Sequence, residues 1–316
     1  MTEPFRPVAS RPPRLRHWAA GAALLAWLGS ATAGAALGML NAVATLRGHQ
    51  GPTDVAYGKL DRQRFDVYVP GRSLAEADKA SGSPLVIFFY GGSWDMGSRQ
   101  EYRFAGEALA AQGFTVMVVD YRLYPQVRYP DFLQDCALAV GYGLAHAREL
   151  GADPHRVFLV GHSAGAYNVA MLALDPRWLR AAGHSPDELA GWVGLAGPYN
   201  FLPIDDAGVK LVFDWPGTSP DTQPINHVDD LARPLPAFLG AALHDTVVHP
   251  GKNTLPLADR MKARGTAVTL RTYEHVNHAT LVGSLSWPLT PLSTVLADTT
   301  EFIRAAAPTP RSGTAR

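Results

Sequence analysis

The stretch Phe158-Leu-Val-Gly161-His-Ser163-Ala-Gly165 decides how the rest of the chain is read. An apolar run meets a Gly-x-Ser-x-Gly pentapeptide and continues into Ala-Tyr-Asn-Val-Ala-Met-Leu-Ala-Leu, which reads as a helix. Strand, sharp turn and helix in that order are the setting of a nucleophile elbow. The turn strains the serine backbone and leaves room only for small residues at 161 and 165. A serine hydroxyl is a poor nucleophile alone. It needs a histidine to take its proton, a carboxylate to orient that histidine, and N–H donors for the oxyanion.

In this arrangement the carboxylate follows the nucleophile, on a loop leaving a later strand, and the histidine comes after it. Asp245 meets the first condition, because Phe238-Leu-Gly-Ala-Ala-Leu-His-Asp245 is an apolar run ending in an acid. Asp229 and Asp230 are rivals placed in a polar loop before that strand begins. For the base, a strand over 267–273 runs into Glu274-His275-Val276-Asn277-His278-Ala279. His278, at the loop-to-helix junction, is the expected base, and His275 is expected to be a solvated strand-end imidazole. His162, the variable residue of the elbow, is expected to point away from the chemistry. Upstream, Val86-Ile-Phe-Phe-Tyr90-Gly91-Gly92-Ser93-Trp94 is a strand ending in paired glycines, which let backbone N–H groups approach a substrate. The N–H of Ala164, directly after the serine, is the other expected oxyanion donor.

With 316 residues, 47% hydrophobic and 18% charged, the chain can bury one large core. Its 28 basic and 28 acidic residues cancel, so no face for nucleic acid is implied. The single cysteine, Cys136, excludes an intramolecular disulfide and a cysteine-based zinc cluster. It falls in a helix expected over 131–150 and reads as a buried structural thiol. No cofactor or metal is expected. The N-terminus is different in kind. Arg6, Arg11, Arg14 and Arg16, opposed only by Glu3, precede an uncharged stretch from Trp18 to Leu40. Within it, 18–28 has the character of a signal-peptide core, and Ala31-Thr-Ala33 offers a small-x-small cleavage site. The whole stretch is also long enough to span a bilayer. A cleaved signal and a retained membrane tether through residues 18–40 both stay open, beside a non-native start or a soluble helical extension. Either of the first two places the remainder of the chain outside the cytoplasm, exported or membrane-anchored.

Two short alternating runs, 54–59 and 64–69, predict an antiparallel hairpin. Continuous apolar strands follow at 85–90, 115–120, 156–161, 192–196, 237–243 and 267–273. Helical patterns separate them at 101–112, 131–150, 164–174 and 253–264, with a last one over 291–306. Buried strands alternating with helices predict an α/β fold, a mostly parallel sheet covered on both faces. The Pro- and Gly-rich stretch 198–236 reads as a small cap or loop excursion. The expected organisation is an N-terminal signal or anchor over 1–40, one catalytic-type domain over 41–306 and a disordered tail over 307–316.

Tyr90-Gly-Gly-Ser-Trp94, Asp120-Tyr-Arg-Leu-Tyr-Pro125, Gly161-His-Ser-Ala-Gly165, the Asp245 loop and Tyr273-Glu-His-Val-Asn-His278 together resemble the esterase/lipase group of α/β-hydrolases. That group includes hormone-sensitive-lipase-like carboxylesterases, bacterial acetyl and feruloyl esterases and isoprenylcysteine methylesterases. The resemblance implies Ser163 as nucleophile, Asp245 as orienting acid and His278 as base. It implies oxyanion N–H groups from Gly92, Ser93 and Ala164. Arg122 is expected to tie the loop after its strand to the fold. The chain departs from the group at Tyr90, where a histidine is usual. Tyr90 is either a brace for the oxyanion loop or itself an oxyanion donor. Trp94 is either core packing or a wall of the substrate pocket. The resemblance implies a carboxylic ester hydrolase, metal-independent, for short-to-medium acyl or small aromatic esters. An amidase or small-peptide hydrolase, and a ligand-binding protein on a hydrolase scaffold, are the alternatives. Neither the particular ester nor the oligomeric state follows from these residues.

Overall fold

Continuous apolar runs become buried strands because a parallel strand is covered on both faces. The computed structural model describes residues 33–44, 48–49, 51–71 and 82–306. Its strands are β1 (Val55–Ala56), β2 (Arg64–Tyr68), β3 (Ser83–Phe89), β4 (Thr115–Val119), β5 (Ala152–His162), β6 (Gly191–Leu195), β7 (Ala237–Ala242) and β8 (Val268–Tyr273). They form one eight-stranded sheet in the order β1-β2-β4-β3-β5-β6-β7-β8. β1 and β2 pair antiparallel, as do β2 and β4, and every other pairing is parallel. Every residue of β3, β4, β6 and β7 is buried.

The α-helices are α1 (Ala33–Ala44), α2 (Arg103–Ala110), α3 (Asp131–His146), α4 (Ala164–Leu174), α5 (Pro176–Ala181), α6 (Ala207–Val212), α7 (Thr254–Ala263), α8 (His278–Gly283) and α9 (Val295–Ala305). They cover both faces. A Cβ on Gly143 of α3 would lie 2.7 Å from Ile87, whose neighbour in β5 is Leu159. Phe302 of α9 packs on Phe158 and Phe238, the opposite face by strand alternation. This is the α/β architecture expected, with the hairpin shrunk to a two-residue β1. Strand β5 starts earlier than expected, because Ala152 and Asp153 pair with Ser83 and Pro84 before an irregularity in the ladder.

The stretch 198–236 contains no strand, only α6 and two short 3-10 turns. It is tied down at several points. Asn253 Oδ1 accepts from the N–H groups of Tyr199 and Asn200, and the Tyr167 hydroxyl donates to the Thr222 carbonyl.

The expected boundary between residues 40 and 41 falls inside α1. Leu40 and Ala44 are buried, and Leu40 lies beside Gly283 of α8. Asn41 accepts from Phe104 N–H at the start of α2 and donates to the carbonyls of Gln100 and Glu101. The packed domain therefore begins before Asn41. Residues 1–32, with most of the apolar stretch and the start of the Ala31–Ala33 site, and the tail 307–316 lie outside the described residues. No helix among the described residues is long and apolar enough to cross a membrane.

Candidate active site

The parallel strands end on one edge of the sheet, and the strand order reverses around β3, where β4 lies on one side and β5 on the other. Ligand sites of open α/β sheets lie in the crevice at such a switch point. Here β3 delivers the Gly91-Gly92 loop and β5 delivers Ser163, side by side. β7 leads to Asp245 and β8 to His278.

Ser163 sits between β5 and α4 with φ +53° and ψ −122°, a backbone region that costs a non-glycine residue free energy. Its N–H donates to Leu195 O and its carbonyl accepts from Tyr167 N–H, so the turn is locked from both sides. The flanking glycines are required by contact rather than by dihedral. A Cβ at Gly161 would come within 2.3 Å of Gly165 O, and one at Gly165 within 2.1 Å of Phe89 O.

The structure brings Ser163, His278 and Asp245 into one hydrogen-bonded chain. His278 Nε2 lies 2.9 Å from Ser163 Oγ, and His278 Nδ1 lies 2.7 Å from Asp245 Oδ2. Asp245 is buried, and its Oδ1 accepts from the N–H groups of Val247 and Val248. Burial alone opposes its ionisation. The hydrogen bond and charge of His278, together with the Val248 and Val247 N–H groups, outweigh burial and hold the carboxyl below the usual range. His278 opens α8, and Asn277 caps that helix by accepting from Ala279 and Thr280 N–H while Thr280 Oγ1 accepts from Asn277 N–H. The rivals go elsewhere. His275 is exposed, Asp229 pairs with Arg260 and Arg264, and Asp230 pairs with His227.

Gly92, Ser93 and Trp94 all have positive φ (128°, 48° and 62°), a tight turn directly after the strand that runs beside β5. Among the described residues, no protein acceptor takes the N–H of Gly92, Ser93 or Ala164. Gly91 lies against the serine, since a Cβ there would be 2.8 Å from Ser163 Cβ.

The Tyr90 hydroxyl is engaged on both sides by other groups. It donates to Asp120 Oδ1 at 2.8 Å and accepts from Arg62 at 2.7 Å, while Arg62 also donates to Gly97 O. Burial first, then Asp120, pushes the phenol pKa well up, so the proton stays on Tyr90. Asp120 in turn accepts from Arg99 N–H and pairs with the Arg99 guanidinium, which also reaches Asp66 and Asp54. The ring stacks between Tyr102 and Tyr121. This buried network braces the oxyanion loop from beneath. Of this network only Asp120 carries a signal in the sequence, as an acid just past a parallel strand in Asp120-Tyr-Arg; Arg62 and Arg99 carry none. Arg122 donates three times to Asp135 and so ties the loop after β4 to α3.

Trp94 is both packed in the core and exposed to a cavity. Its indole N–H donates to Asn168 Oδ1, and its ring packs against Phe132, Tyr167, Phe201 and Phe213. It also lines a cavity of about 360 Å³ that opens on Ser163, Ser93 and Ala164. The excursion supplies Phe201, Ile204 and Val209 to the same cavity, and the Asp245 loop supplies Val247 and Val248.

His162 overturns its expectation. The ring is buried and turned toward the site, with Nε2 3.0 Å from the backbone carbonyl of His278 and ring centroids 4.9 Å apart. Cys136 is a buried free thiol. Among the described residues, Asp175, His227 and Asp230 are close enough to share a metal ion, but they already have protein partners: Arg177 holds both oxygens of Asp175, and His227 Nδ1 lies 2.6 Å from Asp230 Oδ2.

The BD-FAE family model matches residues 65–249, more than half of the chain. The chain belongs to the BD-FAE family. Its sequence is 32% identical over 158 residues to a probable isoprenylcysteine alpha-carbonyl methylesterase of Oryza sativa subsp. japonica, covering 48% of this chain and 36% of that protein. It is 26% identical over 204 residues to a probable carboxylic ester hydrolase, LipM, of Mycobacterium tuberculosis, covering 57% of this chain and 45% of the relative. Less than half the length of either relative is thus represented in the match. The propionate-bound esterase 2 of Thermogutta terrifontis is 21% identical, with a TM-score of 0.65 over 84% of this chain and 98% of that one. That likeness establishes the α/β-hydrolase fold.

Proposed function

We propose that this protein is a serine hydrolase that cleaves carboxylic esters through an acyl-enzyme. The observation that carries the proposal is the unbroken chain Asp245–His278–Ser163, standing beside the N–H groups of Gly92, Ser93 and Ala164. Ser163 Oγ attacks the ester carbonyl while His278 Nε2 takes its proton, and Asp245 stabilises the imidazolium that forms. The three N–H groups meet the negative charge on the carbonyl oxygen as it develops. His278 then returns the proton to the departing alcohol. Water enters, loses a proton to His278 and attacks the acyl carbon, and Ser163 leaves with that proton restored. The esterase names of the relatives support this reading.

A cavity of about 360 Å³ walled by Trp94, Phe201, Ile204 and Val209 favours short-to-medium acyl or small aromatic esters over long chains. An amidase would draw its main support from Tyr90 as an oxyanion donor, and that hydroxyl is committed to Asp120 and Arg62. The cationic and apolar N-terminus favours export or a membrane tether; recovery of the full-length chain in a cytosolic fraction would contradict this.

The test is a panel of p-nitrophenyl esters and amides with wild type and Ser163→Ala, alongside fluorophosphonate labelling. Short-chain esters should turn over fastest, and the variant should lose both turnover and label. A wild type that neither turns over esters nor takes the label would identify a binding protein on a hydrolase scaffold instead.

A further inference from the structure

We infer that His162 is a positioning residue for the base: its Nε2–H holds the backbone carbonyl of His278 and thereby sets where the imidazole stands between Ser163 and Asp245. The inference deepens the serine-hydrolase reading and rests on it.

His162 ends β5 and precedes the nucleophile directly, so its ring stands on the same locked turn as Ser163. Two hydrogen bonds then join that turn to one residue. Ser163 Oγ meets the side chain of His278, and His162 Nε2 meets its carbonyl. His278 is thus held through both its side chain and its backbone by one turn. The cradle is tight, since a Cβ on Gly91 would lie 3.0 Å from His162 Nδ1. The ring is therefore wedged between the oxyanion loop and the loop of the base.

The proton inventory supports one tautomer. A carbonyl only accepts, so Nε2 carries the hydrogen and Nδ1 is left as a bare acceptor. Nδ1 is buried with no partner among the described residues. Protonating it would bury an unsatisfied donor beside Gly91 and place a second positive charge next to His278. Burial, and then the proximity of His278, push the His162 pKa down to about 3, against the opposing pull of the hydrogen bond to the His278 carbonyl and then of Asp245. His162 thus stays neutral while His278 takes up and releases protons.

Two substitutions separate positioning from packing. His162→Gln keeps an amide N–H at about the reach of Nε2, whereas His162→Met fills similar space without a donor. With a short-chain p-nitrophenyl ester, His162→Met should lower kcat by ~10-fold at nearly unchanged KM, the size expected for one hydrogen bond of ~1.4 kcal/mol. His162→Gln should stay within about threefold of wild type, because one neutral donor replaces another. Equal losses in the two variants, or no loss in His162→Met, would overturn the inference. Two NMR signatures need no substrate and so remain decisive if the esterase reading fails. Wild-type His162 should appear as the neutral Nε2–H tautomer, and a Nδ1–H tautomer overturns the inference even if His162→Met does not fold. The low-field Nδ1–H proton of His278 should persist in His162→Gln and broaden in His162→Met. An unchanged resonance in His162→Met counts against it.

Discussion

Ser163 stands at the centre of the sheet, directly after β5, which lies between β3 and β6, whereas His278 follows β8, the last strand at the edge. Around the serine the supports are backbone contacts and buried charge. Gly161 and Gly165 touch the neighbouring main chain, and Tyr90, Asp120, Arg62 and Arg99 hold the oxyanion loop. Around the histidine the supports are a few hydrogen bonds: Asp245 accepts from the imidazole, His162 meets the carbonyl, and Asn277 accepts from the N–H groups of Ala279 and Thr280, all after a strand whose Arg271 and Thr272 are exposed. Ser163 and the N–H groups beside it are thus held by the fold itself, while His278 is hung beside them. Damage to the supports of the first half should appear as lost stability, and damage to the supports of the second as lost turnover in a folded protein.

The largest test is Asp245→Asn. The amide can still accept from Val247 and Val248 N–H, but it no longer holds a charge beside His278 and can favour the wrong imidazole tautomer. We expect kcat to fall by about 10⁴ with a melting temperature close to wild type. The same variant carries a pH signature. The folded carboxyl of Asp245 is held below its unfolded value of about 4, so its contribution to stability is present above that pH and disappears as pH falls through the lowered folded value. Acid unfolding of Asp245→Asn should lack that component. A variant that melts far below wild type would place the base half inside the structural core and break the comparison.

Tyr90→Phe probes the opposite half and should give the opposite result. Removing the hydroxyl leaves Asp120 and Arg62 each short of one buried partner, at a cost of about 1–3 kcal/mol in stability. The loop keeps its Arg99 and Gly97 contacts, so kcat should change only a few-fold. Loss of an oxyanion donor would instead cost ~10² or more in kcat. A hundredfold loss of kcat at an unchanged melting temperature would restore Tyr90 as a donor.

The same division explains what could be read from the chain alone. The elbow is local, so spacing fixes it; Gly161 and Gly165 are demanded by residues on either side of one turn. Asp245 and His278 were legible because each ends or follows an apolar strand in the order the chemistry requires. The fate of the Tyr90 hydroxyl was not legible, because Arg62, Arg99 and Asp120 meet it only once β2, β3 and β4 are assembled. His162 misled for a related reason. Position in a motif does not fix where a side chain points when its partner, the His278 carbonyl, arrives from another strand. The apolar, Ala- and Gly-rich α1 reads like the end of a membrane segment, yet Leu40 and Asn41 commit it to α8 and α2.

The finest test is the cap of α8. Asn277→Ala removes the acceptor for the N–H groups of Ala279 and Thr280, and the loss of such a cap costs about 1 kcal/mol. The helix is only six residues long and His278 is its first, so that cost falls on the residue that must meet both Ser163 and Asp245. If the base is hung rather than embedded, the first turn loosens while the sheet does not notice. The melting temperature should then drop by no more than about 4 °C, and kcat should fall about fivefold, the population equivalent of about 1 kcal/mol. Asn277→Asp, which keeps the acceptor, should recover most of that turnover. A double variant, Asn277→Ala with His162→Met, sharpens the point. Two supports of one residue should couple, so the combined loss in kcat should depart from the product of the single losses. Simple multiplication would mean that cap and carbonyl bond hold different things, and that the base is anchored more firmly than these contacts imply.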